Sequence, residues 1–86
     1  MKVVFTDHAK RRARDRHLSL KVVKSFIENP DDAEQSQKDS RRFLIKKAYF
    51  SHAFKKQHLL MAICEKEGDV LVVITLIDTS KVKKYS

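Results

Sequence analysis

The chain contains a single glycine, Gly68, and it stands between two almost uninterrupted apolar runs, Leu59 to Cys64 and Val70 to Ile77. A Glu67-Gly68-Asp69 turn between two such stretches specifies a hairpin. Because the runs are apolar at nearly every position rather than alternately, they suit central strands covered by other elements. The rest of the 86 residues leaves room for one hydrophobic core, so residues 1–86 read as a single domain.

The remaining elements are read outward from that hairpin. Lys2 to Phe5 is β-branched and aromatic and reads as a strand. Thr6 or Asp7 then offers an N-cap for a helix from about His8 to Arg16, whose few apolar positions make it lean on Ala9, Ala13 and the stems of its cations. Ser19 caps a second helix, in which Leu20, Val23, Phe26 and Ile27 recur at helical spacing until Asn29-Pro30 ends it. Residues 31–40 are polar and fit either a loop or an irregular edge strand. Arg41 to Phe50 reads as a strand with Phe43 and Ile45 on one side and Arg42, Leu44 and Lys46 on the other. Residues 81–86 read as a mobile basic tail. The expected fold is α+β in two layers, two N-terminal helices packed on a small antiparallel sheet of about four strands.

Nineteen Lys and Arg against eleven Asp and Glu give a formal charge of +8. That balance points to a polyanion or an acidic partner, with RNA the first choice, although a charged surface that merely keeps a small protein soluble is the plain alternative. Cys64 is alone inside an apolar run and reads as core in a reducing compartment. No apolar stretch reaches the eighteen or so residues of a membrane span, and the N-terminus is too soon polar for a signal peptide, so a cytoplasmic protein with no membrane partner is expected. His17, His52 and His58 stand at no metal-ligand spacing and read as surface histidines, so no metal and no other cofactor is expected.

One constellation carries chemistry. His8, Arg12 and Arg16 are four residues apart and share a stripe on a helix, where they repel one another unless an anion stands in front of them. Phosphate suits the planar guanidinium forks, and a neutral imidazole can accept or return a proton near neutral pH. The three side chains are expected to face a common anion-sized space. The plain alternative is a solvated helix face whose arginines pair with Asp7, Asp15 or the acidic segment 31–34. A second basic group, Arg41, Arg42, Lys46 and Lys47 with Lys55 and Lys56, is expected to face the same ligand together with Arg11. Tyr49, Phe50 and Phe54 interleave with it and could stack on bases, although core packing is the expected use of at least two of them. Thr75, the one hydroxyl in the last apolar run, reads from composition as a β-branched core residue.

The pattern His8-Ala9-x-x-Arg12-x-x-x-Arg16, then Leu18-Ser19, a helix ending in Asn29-Pro30 and a late strand with Val72-Val73-Ile74-Thr75, resembles the family named domain of unknown function 4258 over most of the chain. The resemblance implies kinship with RelE-type and colicin-type ribonuclease toxins, and hence a RelE-like α+β architecture, an RNA-cleaving toxin and an acidic antitoxin partner. It also implies that His8, Arg12, Arg16 and Thr75 form the catalytic set. A Gly commonly follows the second Arg in that pattern. His17 stands there instead and puts the helix-end geometry in question. The expected activity is metal-independent endoribonuclease cleavage, with His8 as base or acid, Arg12 and Arg16 stabilising charge on phosphate, and Arg42 or Lys46 assisting. The rival expectation is a module that grips nucleic acid, or docks an acidic protein, without cutting anything.

Overall fold

The computed structural model describes residues 2–85, which form a five-stranded mixed sheet with three helices. In chain order the elements are β1 (Lys2–Phe5), α1 (Asp7–Asp15), α2 (Leu20–Glu28), β2 (Asp32–Gln35), β3 (Arg42–Ser51), β4 (Lys56–Glu67), β5 (Val70–Thr79) and α3 (Val82–Tyr85). Across the sheet they run β1-β5-β4-β3-β2. The central hairpin forms as the sequence specifies, with Gly68 at φ +60 as the first of its two turn residues. A positive φ there is the II′ pattern, which favours glycine.

Two features depart from the expected sheet. It has five strands rather than four, because residues 32–35 pair with β3 as an edge strand before a loop begins. It is also mixed, because β1 lies parallel to β5, with Lys2 opposite Val70 and Phe5 opposite Val73. A four-residue strand carries no local sign of its partner's direction. α1 leaves β1 after one residue and continues in the same direction along β5. Within the segment read as a basic tail, Val82–Tyr85 forms the helical turn α3, and the Lys46 ammonium donates to the Tyr85 carbonyl at 3.0 Å. Ser86 lies outside the described residues.

α1 and α2 cover one face of the sheet, and the core lies between the layers. Ala9, Ala13, Val23 and Ile27 from the helices meet Ile45, Leu60, Ala62, Cys64, Leu71, Val73 and Leu76 from the strands. Small alanines let α1 approach the sheet closely, as its sparse apolar pattern requires. Burial pushes the Cys64 thiol up to about 12, which keeps it protonated and inert as a core residue. Among the described residues, no helix is long and apolar enough to cross a membrane.

Both helix caps expected from the sequence form. Thr6 Oγ1 accepts from the Ala9 amide at 3.1 Å, and Ser19 Oγ from the Val22 amide at 3.1 Å. The end of α1 keeps the glycine-type geometry although no glycine is present. His17 sits at φ 59, its amide donates to the Arg14 carbonyl, and the Leu18 amide reaches back to the Ala13 carbonyl, a Schellman closure. A non-glycine residue held there costs on the order of 1 kcal/mol, although His is among the residues that tolerate it better.

Candidate nucleic-acid interface and acid–base site

The site begins at an irregularity in β5. Ile63 pairs with Thr75 but Cys64 with Val73, so Ile74 is an extra residue with no partner in β4. Such a bulge bends a strand and re-aims the side chains beyond it. Here it falls where β1 ends, leaving the far half of β5 as an open edge. Thr6 pins α1 to that edge: its amide donates to the Val73 carbonyl at 3.1 Å and its hydroxyl to the Ile74 carbonyl at 2.8 Å. From this anchor α1 runs along the edge that β1 no longer covers.

The stripe read from the sequence therefore lies along β5. His8 Nε2 stands 2.9 Å from Thr75 Oγ1, which brings together two of the residues that the family pattern singled out. One turn on, Arg12 Nε donates to the Leu76 carbonyl at 3.0 Å. One turn further, Arg16 lines a cleft of about 310 Å³ with Phe54, Lys56, His58, Asp78, Thr79 and Ser80. The three side chains do not converge on one anion. They form a row about 12 Å long, because eight helical residues rise by that much. Nor do they pair with acids. Among the described residues, neither Arg12 nor Arg16 forms an ion pair, and Asp7 and Asp15 form none either. Asp31 turns instead to β3, where the Ala48 amide and the Lys47 ammonium hold its carboxyl below the ordinary pKa.

The second basic group is divided. Arg41 and Arg42 pair with Glu65, and Arg41 also with Asp39, while Lys47 pairs with Asp31. These residues and Lys46 belong to β3 or its approach, with β4 between them and β5. Lys56 alone of that group lines the Arg16 cleft. Lys55 is exposed beside it in the β3–β4 turn, and Arg11 is exposed on α1 next to the row. The aromatics also differ from expectation: only Tyr49 packs inward, against Phe26, whereas Phe50 and Phe54 are 51% and 41% exposed.

The sequence did not reveal the network at the far end of the row. Asp78 and His58, each 4% exposed, are bonded through Nδ1 and Oδ2 at 2.9 Å, and the Tyr49 hydroxyl donates to the other Asp78 oxygen at 2.7 Å. His58 is thus a buried, partnered histidine and not the surface residue expected. Burial first, then the hydrogen bond to Asp78 and its charge, push the Tyr49 phenol well up, while the Arg16 charge acts the other way. A carboxylate can only accept, so the proton between it and His58 belongs to Nδ1. Among the described residues Nε2 has no hydrogen-bond partner, yet none of their buried side-chain nitrogens or oxygens is left without one. Nε2 is therefore not fully sealed from solvent, and His58 is among the residues that line the cleft with Arg16 and Lys56. The Phe54 ring stacks on His58 with centroids 5.3 Å apart. Among the described residues, no group of three or more His, Cys, Asp or Glu side chains is placed to hold a metal ion.

No curated protein and no solved structure matches the chain. One family model does, over residues 5–78, a span that takes in the α1 row, the β5 bulge and the Tyr49–His58–Asp78 network. The chain therefore belongs to the family described as Domain of unknown function (DUF4258).

Proposed function

We propose that this protein is a metal-independent endoribonuclease of the toxin class, with an architecture akin to that of RelE-type toxins, binding a single RNA strand along the edge formed by α1 and β5. The observation that carries this reading is the row of His8, Arg12 and Arg16 along an open strand edge, with no acidic partner for either guanidinium among the described residues. A row suits a polymer of phosphates better than a single anion, and arginine forks can each take two phosphate oxygens. Among the described residues Arg12 bonds through Nε alone, to the Leu76 carbonyl, which leaves its Nη groups for a ligand. Phe54, 41% exposed and lining the Arg16 cleft, offers an aromatic surface to an unpaired base, which favours a single strand over a duplex.

The reaction is transfer of the 2′-hydroxyl onto the adjacent phosphorus. It needs an imidazole to take the hydroxyl proton and cations to meet charge growing on the phosphate oxygens. Both kinds of group are present on this edge. An acidic antitoxin would silence the protein by covering the row with its own carboxylates, the partner chemistry that a charge of +8 favours. The test is incubation of the purified protein with end-labelled RNA in the presence of a chelator. Fragments ending in 2′,3′-cyclic phosphate and 5′-hydroxyl are expected. RNA that is retained but intact would establish the non-cutting module instead.

A further inference from the structure

Two imidazoles stand on the α1–β5 edge, and they do not serve the same phosphate. His8 meets Thr75 and His58 meets Asp78, three residues apart along β5, a separation of about 10 Å at the rise of a strand. They also approach opposite faces: Thr75 pairs with Ile63 and Asp78 with Leu60, positions of opposite parity on β4. One phosphodiester presents its attacking and leaving oxygens on a single phosphorus, and proton transfer to either needs hydrogen-bond reach. Only one of the two histidines can therefore be the base for a given bond.

The two differ in how they are held. His8 is exposed, and its Nε2 is engaged with a hydroxyl. His58 is fixed on three sides, by Asp78 at Nδ1, by the Phe54 ring stacked on it, and by Tyr49 edge-on at 6.0 Å. Its Nε2 is the ring nitrogen left without a partner among the described residues, and His58 lines the cleft that holds Arg16 and Lys56. A base oriented by a carboxylate through its other nitrogen is the arrangement proton transfer favours, because it fixes both tautomer and direction.

We infer that His58, oriented by Asp78 and facing Arg16 and Lys56, is the proton-transfer residue of RNA cleavage, and that His8 and Arg12 grip the strand beside the scissile phosphate. This rests on the endoribonuclease reading. The 2′-hydroxyl gives its proton to His58 Nε2 as its oxygen bonds to phosphorus. The bond from phosphorus to the 5′ oxygen breaks, and that oxygen takes a proton from water in the open cleft. The hydroxide left behind is neutralised by the proton on His58, which returns the imidazole to its starting state. The products are a cyclic phosphate and a 5′-hydroxyl, with no net consumption of water.

The discriminating variant is His58→Asn, whose amide can still donate to Asp78 but cannot relay a proton. Against wild type it is expected to lower kcat by about 10²–10⁴-fold with KM little changed. In His58→Ala, added imidazole should restore part of the rate, which a merely structural role would not allow. His8→Ala is expected to show the opposite split, with KM raised and most of kcat kept. Undiminished kcat in a folded His58→Asn, with wild type active, overturns this assignment alone; wild type that leaves RNA intact overturns the endoribonuclease reading and the assignment with it. Should the His58 variants fail to fold, wild type decides: inorganic phosphate is expected to shift the His58 Nε2 resonance, and a resonance it leaves unmoved overturns the assignment.

Discussion

Asp78→Ala is expected to lower the free energy of unfolding by about 2–6 kcal/mol, since it leaves two buried donors unsatisfied at about 1–3 kcal/mol each. Asp78 is 4% exposed, and both of its oxygens are occupied, one by the Tyr49 hydroxyl at 2.7 Å and one by His58 Nδ1 at 2.9 Å. Truncation strands two donors in a site formed to satisfy them and leaves a void as well. Against the roughly 5–15 kcal/mol that holds a small domain together, this is a large share. A urea titration should show the midpoint falling with the slope unchanged. Asp78→Asn should cost less, since the amide keeps one acceptor and its shape. Replacing the whole network, by Asp78→Leu with His58→Phe and Tyr49→Phe, should recover most of the loss. If Asp78→Ala proves as stable as wild type, the network contributes little to the fold.

Arg16→Ala is expected to reduce kcat for RNA cleavage by about 10²–10³-fold, the range for removing one donor from charge growing at a reacting centre. Arg16 is exposed at the end of α1 and has no side-chain hydrogen bond or ion pair among the described residues, so its loss should leave stability within about 0.5 kcal/mol. That separation makes it a cleaner probe than Arg12, whose Nε also holds the Leu76 carbonyl. Arg16→Lys keeps the charge but not the fork and should fall between wild type and Arg16→Ala. Steady-state kinetics on a short fluorogenic RNA would give both numbers. Arg16→Ala that cleaves like wild type would move the reacting phosphate away from the His58 cleft.

The parts of the fold that obey local rules were legible in the sequence. Gly68 marked the central turn, Thr6 and Ser19 marked the helix starts, and Asn29-Pro30 marked the end of α2. The four-residue spacing of His8, Arg12 and Arg16 placed them on one helical edge. The strand facing that edge was chosen by tertiary pairing. Val73 and Asp78 are five residues apart, so simple alternation puts them on opposite faces of a strand. The extra residue at Ile74 reverses that parity and turns Asp78 inward to meet Tyr49 and His58. Nothing local announces the bulge, because the carbonyl it frees is met by Thr6, 68 positions away. His58 was unreadable for the same reason: its burial depends on β3, β5 and the Phe54 turn closing around it.

The claim on which the rest depends is that a nucleic acid strand lies along the α1–β5 edge. Chemical-shift mapping with a short RNA, methylated at its 2′ oxygens so that it cannot be cut, tests this most directly. Shifts are expected at His8, Arg12 and Arg16, along Thr75 to Ser80, and at Lys56 and His58, with Arg41, Arg42 and Lys47 unaffected because their charges are already paired. Shifts confined to the β2–β3 side of the sheet, or none on addition of excess RNA, would contradict it.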